Sequence, residues 1–155
     1  MISGIIPRIL IIEDNPVDFR ILKYAFCNTG IVVELDEADD GESAMTFLRK
    51  ETNAGARPAL ILLDLNLPKM SGMEVLRNIK AHDDLRCIPV IVLSSSQFQS
   101  DVSRAYEAGA SLYVHKPNDL DKLEELVNAI ATAWLKYGML PDACGSVGSQ
   151  DAQMK

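Results

Sequence analysis

The stretch ALILLDLNLPKMSG, residues 59–72, runs five apolar residues, Ala59 to Leu63, into a carboxylate, Asp64, then into Asn66 and the chain-breaking Pro68. A short unbroken apolar run bounded by turn residues is the pattern of a strand buried on both faces, which a parallel sheet covered by helices produces. A charge that ends such a strand has to sit at the rim of the sheet, where water or an ion can reach it.

Four more runs repeat the pattern: RILIIE (8–13), IVVEL (31–35), PVIVLS (89–94) and SLYVHK (111–116). The amphipathic segments between them predict helices over 16–28, 41–51, 71–82 and 98–108, and a longer last helix over 119–137. Asn15 before Pro16, Ser71, and Asn118 or Asp119 supply N-caps, and Gly109 supplies a C-cap. Strands alternating with helices imply βαβ units, hence an α/β fold of the doubly wound (βα)5 sandwich type with a parallel sheet. In such sheets the functional crevice lies beyond the carboxyl ends of the strands.

The chain has 155 residues, 48% of them apolar, enough for one ordinary core and most simply one domain. Its net charge of −7, with no basic run, disfavours nonspecific binding to nucleic acid and predicts no direct DNA contact. No apolar run approaches a membrane span, and MISGIIPRIL lacks the basic start of a secretory signal, so a soluble cytoplasmic protein is expected, without membrane association. Cys27, Cys87 and Cys144 are widely spaced and follow no metal pattern, and are expected to be reduced thiols.

The strand ends carry the chemistry. Glu13, Asp14 and Asn15 follow the first strand, Asp64 and Asn66 the third, Ser94 to Ser96 the fourth, and Lys116 with Pro117 the fifth. Carboxylates gathered about 4 Å apart repel by about 4 kcal/mol per pair at an effective dielectric of 20, so the cluster calls for a cation. Oxygen ligands without His or Cys favour a hard ion such as Mg2+, with Mn2+ as an alternative. A metal beside a lysine and a hydroxyl is suited to phosphoryl groups, and a carboxylate there can become an aspartyl phosphate.

These residues resemble the receiver domain of two-component response regulators: IIEDNP, LLDLNLPKMSG, the serine after IVL, and HKP after the fifth strand stand in the family's order. Asp64 to Ser94 is 30 residues and Asp64 to Lys116 is 52, matching its separation of phosphoacceptor, hydroxyl and lysine. The resemblance spans about residues 7 to 137 and implies a flavodoxin-like strand order 2-1-3-4-5. It further implies that Asp64 takes a phosphoryl group from a phosphohistidine on a sensor histidine kinase, making the chain a phosphoacceptor in a phosphorelay and not an enzyme. Glu13, Asp14, Asp64 and the backbone carbonyl of Asn66 would hold the ion. Ser94, where the family often has threonine, and Lys116 would meet the phosphoryl oxygens, with a cis bond before Pro117. Tyr113 matches the family's switch aromatic, and Asn66 and Ser96 match positions bordering the path of the hydrolytic water.

The boundaries read as an N-terminal tail over 1–6, the receiver over 7–140 and a disordered tail over 141–155, whose Gly, Ser and Asp leave no room for an output domain. A stand-alone receiver has to signal by contact. The last helix, about 28 Å long, outruns strands of about 20 Å, so Trp134, Leu135, Tyr137, Met139 and Leu140 are expected to be poorly covered and to form an interface. The ending AWLKYGMLP resembles the small receivers paired with phytochrome-type histidine kinases, which implies a homodimer through the fifth strand, fifth helix and C-terminal extension.

Rival readings fare worse. A dinucleotide site wants glycines where EDNP places carboxylates. A haloacid-dehalogenase-like phosphatase wants a second aspartate where Asn66 stands, and its nucleophile after the first strand. A receiver fold used only as an interaction module would not need the intact acidic set and Lys116.

Overall fold

The computed structural model describes residues 5–141. Ile5 and Ile6 are the described part of the expected N-terminal tail; apart from Pro141, the expected C-terminal tail lies outside the described residues, Cys144 included.

The chain runs β1 (Arg8–Ile12), α1 (Pro16–Cys27), β2 (Glu34–Ala38), α2 (Gly41–Asn53), β3 (Leu60–Leu63), α3 (Gly72–Ala81), β4 (Val90–Ser94), α4 (Gln99–Glu107), β5 (Leu112–His115) and α5 (Leu120–Ile130), which continues as a π-helix over Ala131–Tyr137. All strands pair in parallel, in the order β2-β1-β3-β4-β5. Strand alternation divides the core in two. Leu10, Ile12, Ile61, Leu63, Val90 and Val92 pack under α2, α3 and α4, while Ile9, Ile11, Leu60, Leu62, Ile91 and Leu93 pack under α1 and α5. Every residue of β3 is buried, and each such aliphatic side chain contributes about 1.5–3 kcal/mol, so the strand that carries Asp64 is a stiff mount.

Caps fix where the helices leave the crevice. The Asn15 side chain accepts from the Val17 and Asp18 amides, Asp40 from Ser43, Ser71 from Glu74 and Asp119 from Asp121. By contrast, α4 starts at Phe98 without a side-chain cap and buries only Ala105. It is the least anchored of the helices.

Two expectations are corrected. The second strand lies over Glu34–Ala38, three residues beyond the IVVEL run, because it is an edge strand whose register is set by charge. Arg8 bonds Asp36 at 3.1 Å and Glu51 at 2.9 Å, while Ile31 and Val33 pack onto the α1 side before the strand begins. The last helix does not simply overhang: Leu135 is only 5% exposed, and Trp134 and Leu140 are half-buried against the same core. A π-turn holds more residues than an α-turn, so the step from Ala131 to Leu135 brings both inward and swings Trp134 aside. Tyr137 at 72% and Met139 at 91% exposure remain as expected. Cys27, at the end of α1, is a free thiol, as expected, and is exposed.

Candidate functional site

Three backbone hydrogen bonds set the crevice. The Glu13 amide donates to Ala38 O (3.0 Å), the Asp64 amide to Ile12 O (3.0 Å) and the Lys116 amide to Ser94 O (2.7 Å). Each extends a strand ladder by one residue, so the side chains at the strand ends inherit the rigidity of the sheet. Glu13, Asp14 and Asp64 thereby offer carboxylate oxygens that all lie within 4.8 Å of one another.

The Asp64 carboxylate accepts from the Asn66 amide (3.0 Å), which fixes its rotamer and folds the Asn66 peptide back beside it. Glu13, 3% exposed, accepts from the Asn15 amide (3.1 Å) and from Lys116 Nζ (2.9 Å). Burial, reinforced by the neighbouring Asp64 and opposed by Lys116, pushes the Glu13 carboxyl from 4.5 up to about 7. Burial lowers the pKa of Lys116, but hydrogen bonds to Glu13 and Asp18 and the charges of Glu13 and Asp64 outweigh it and hold the ammonium above its ordinary range.

Glu13 makes the metal-free protein pH-sensitive. Between about 4.5 and 7 the folded state keeps a proton that the unfolded chain has released, so stability falls as pH rises through this window, by up to about 3 kcal/mol. Urea midpoints in chelator are expected to drop from pH 5 to pH 7.5, and Glu13→Gln to flatten the profile; an equal slope in both proteins would contradict the assignment.

The donor set is oxygen throughout and includes one exposed member, Asp14, which leaves room for water ligands. Such residues fit a hard divalent cation, and poorly fit a metal that selects sulfur or imidazole. Lys116 stands 3.8 Å from the Asp64 carboxylate, close enough to share an anion with it. Ser94 is buried at the end of β4, where its Oγ accepts from the Ser96 amide (3.1 Å). Ser96 in turn bonds Asp101 through its hydroxyl and accepts from the Tyr113 hydroxyl through its carbonyl (2.9 Å). In the β4–α4 loop Ser96 is thus tied through its amide to Ser94 and through its carbonyl to Tyr113.

Glu13, Asp14, Asp64, Asn66 and Lys116 therefore gather at one place, and Ser94 and Tyr113 border it through Ser96. Asp18 is the residue the sequence reading missed: Lys116 Nζ donates to it at 2.9 Å. Its signal was faint but present, because the first turn of a helix leaving the crevice points side chains back toward its own start. Among the described residues no peptide bond is cis, so the bond before Pro117 is trans, the form favoured by about 0.5–1 kcal/mol for X–Pro, and not cis as the resemblance implied.

Comparison with known proteins identifies the family and the fold. Residues 9–128 match the response regulator receiver domain model. The response regulator Rcp1 of Synechocystis is 42% identical over 137 residues, covering 87% of this chain and 93% of that protein. The crystal structure of a phosphorylated cyanobacterial phytochrome response regulator, RcpA, superposes with a TM-score of 0.83 at 39% identity, covering 88% of this chain and 99% of that one. The Mn2+-bound form of Rcp1 gives 0.81 at 41% identity, covering 87% and 99%.

Proposed function

The chain belongs to the family of response regulator receiver domains, and from that premise we propose that Asp64 is its phosphoryl acceptor. Receivers of this family serve two-component phosphorelays, take a divalent metal and receive their phosphoryl group from a histidine kinase. The observation that carries the assignment to Asp64 is its place: the end of a fully buried strand, in a carboxylate cluster, 3.8 Å from Lys116.

An Asp64 oxygen attacks phosphorus, the new O–P bond forms as the N–P bond of the phosphohistidine breaks, and the electron pair leaves on the imidazole nitrogen. Glu13, Asp14, Asp64 and the Asn66 carbonyl would hold the ion, which we take to be Mg2+. Bound there, it would offset the charge of the carboxylates and of the phosphoryl oxygens. Lys116 pairs with one phosphoryl oxygen and the Ser94 hydroxyl with another. When Ser94 turns toward the phosphoryl group it gives up the Ser96 amide, and the loop that also holds Tyr113 is released to repack. Helix α4, with one buried residue, is the element easiest to move, and the α4–β5–α5 surface is the output.

The kinase is of the phytochrome type, as the similarity to Rcp1 and RcpA supports, and the protein is cytoplasmic and acts as a signalling partner, not as a catalyst on a separate substrate. Tyr137 and Met139, flanked by Trp134 and Leu140, form an exposed apolar patch that we assign to a homodimer contact with α5; Leu135 supports the patch from beneath.

Incubation with Mg2+ and a small phosphodonor tests the function. Intact mass is expected to show a single phosphoryl addition, mapping to the peptide that contains Asp64, and light scattering of the same samples at tens of micromolar to show a dimer. No adduct, or one on another residue, removes the phosphoacceptor reading and leaves a contact module; a monomer removes only the dimer.

A further inference from the structure

The Lys116 ammonium has three donors, and the structure shows where two of them go: Glu13 at 2.9 Å and Asp18 at 2.9 Å. Asp64 lies farther off, at 3.8 Å. Asp18 is outside the carboxylate cluster of Glu13, Asp14 and Asp64, on the first turn of α1, with its amide held by the Asn15 cap (3.3 Å) and its side chain 35% exposed. Its backbone is fixed by the cap, and its side chain accepts from Lys116 at a shorter distance than Asp64 stands from the same ammonium.

We infer that Asp18 is a positioning residue that restrains Lys116 in the resting protein, holding the ammonium off Asp64 and competing for it with an incoming phosphoryl group. The inference rests on the phosphoacceptor reading of Asp64. Its logic is competition: a group arriving on Asp64 recruits Lys116 only by drawing it from Asp18, so the strength of that pair is subtracted from the strength of phosphoryl binding. A half-exposed pair of this kind has a modest effect, equivalent to about two- to fivefold in a binding constant. Glu13 is buried and stays with the lysine in either state, whereas Asp18 faces water and is readily solvated when the lysine leaves.

Beryllofluoride, a noncovalent mimic of the phosphoryl group, tests this at saturating Mg2+. Asp18→Asn and Asp18→Ala are both expected to lower its half-saturation concentration by about two- to fivefold, since each releases Lys116. An unchanged or raised value in both variants overturns the inference. In a Lys116→Met background the same Asp18→Asn change is expected to alter neither beryllofluoride binding nor the urea midpoint of the resting protein; an effect that persists on either means that Asp18 acts through something other than the lysine. Failure of the wild type to bind the analogue at all, or to take a phosphoryl group, would instead remove the phosphoacceptor reading.

Discussion

The Asp64→Asn protein is expected to take up no phosphoryl group under conditions that fully modify the wild type, and yet to unfold at a higher urea concentration in metal-free buffer at pH 8.5, where the Glu13 carboxyl is ionised. Loss of uptake follows from chemistry, because a carboxamide oxygen is too poor a nucleophile to displace the donor. The gain in stability follows from charge. Asp64 faces two carboxylates within 4.8 Å, each pair repelling by about 3 kcal/mol at an effective dielectric of 20, against one attraction of about 4 kcal/mol to Lys116 at 3.8 Å. Water at the exposed Asp14 weakens these figures, and a net gain of about 1–2 kcal/mol remains. Asparagine still offers an oxygen to the Asn66 amide, so the local turn is preserved. The same change removes one of the charges that hold the Glu13 carboxyl near 7, and the fall of stability with rising pH is expected to shallow. Added Mg2+ stabilises the wild type more than the variant, because it binds the intact cluster more tightly. A variant that is less stable without metal would show that the cluster is not under electrostatic strain.

Gly72→Ala is expected to be the most damaging small substitution near the site. A Cβ at Gly72 would overlap the Asp64 carbonyl oxygen and come within 2.5 Å of Leu65 Cα, both of them backbone atoms that cannot rotate away. Either α3 moves outward or the end of β3 does, and overpacking of this kind costs about 1–3 kcal/mol. The displaced backbone is that of Asp64 itself, so metal affinity and phosphoryl uptake are expected to fall together with the urea midpoint. Gly55→Ala is the control: its φ of +75° penalises alanine by about 1 kcal/mol, but no atom lies within 4 Å of the added carbon and the crevice is remote. If the two variants lose stability equally and neither affects metal binding, close approach at Gly72 is not what aligns the site.

Where the sequence was legible, one physical signal dominated. The strands β1, β3 and β4 are apolar at every position but Arg8 and Ser94 because helices cover both faces, and their ends fall within a residue or two of the apolar runs. The acidic cluster and Lys116 were equally legible, since the ladder that stops at the last apolar residue leaves the next side chain at the rim. Edge strand β2 was not, because ELDEA carries charge and pairs through Arg8, while its apolar neighbours Ile31 and Val33 serve the packing of α1. Asp18 escaped notice because a first-turn acid is ordinarily explained by the helix dipole alone. The end of the last helix was misread because its length was weighed against the strands alone, whereas the change to π-winding turns Leu135 back to the core.

That change of period has a consequence for the chain's tolerance to length. The π-helix over Ala131–Tyr137 carries a surplus residue, and a surplus can be surrendered. A chain shorter by one residue there would wind as ordinary α-helix, and six residues at about 100° each turn nearly as far as the seven wider-wound ones they replace. With Thr132 or Ala133 lost, the core would still be offered the isobutyl group of Leu135. One codon can therefore be given up at this point with the facing of the last turn, the sheet, the caps and the acidic crevice untouched.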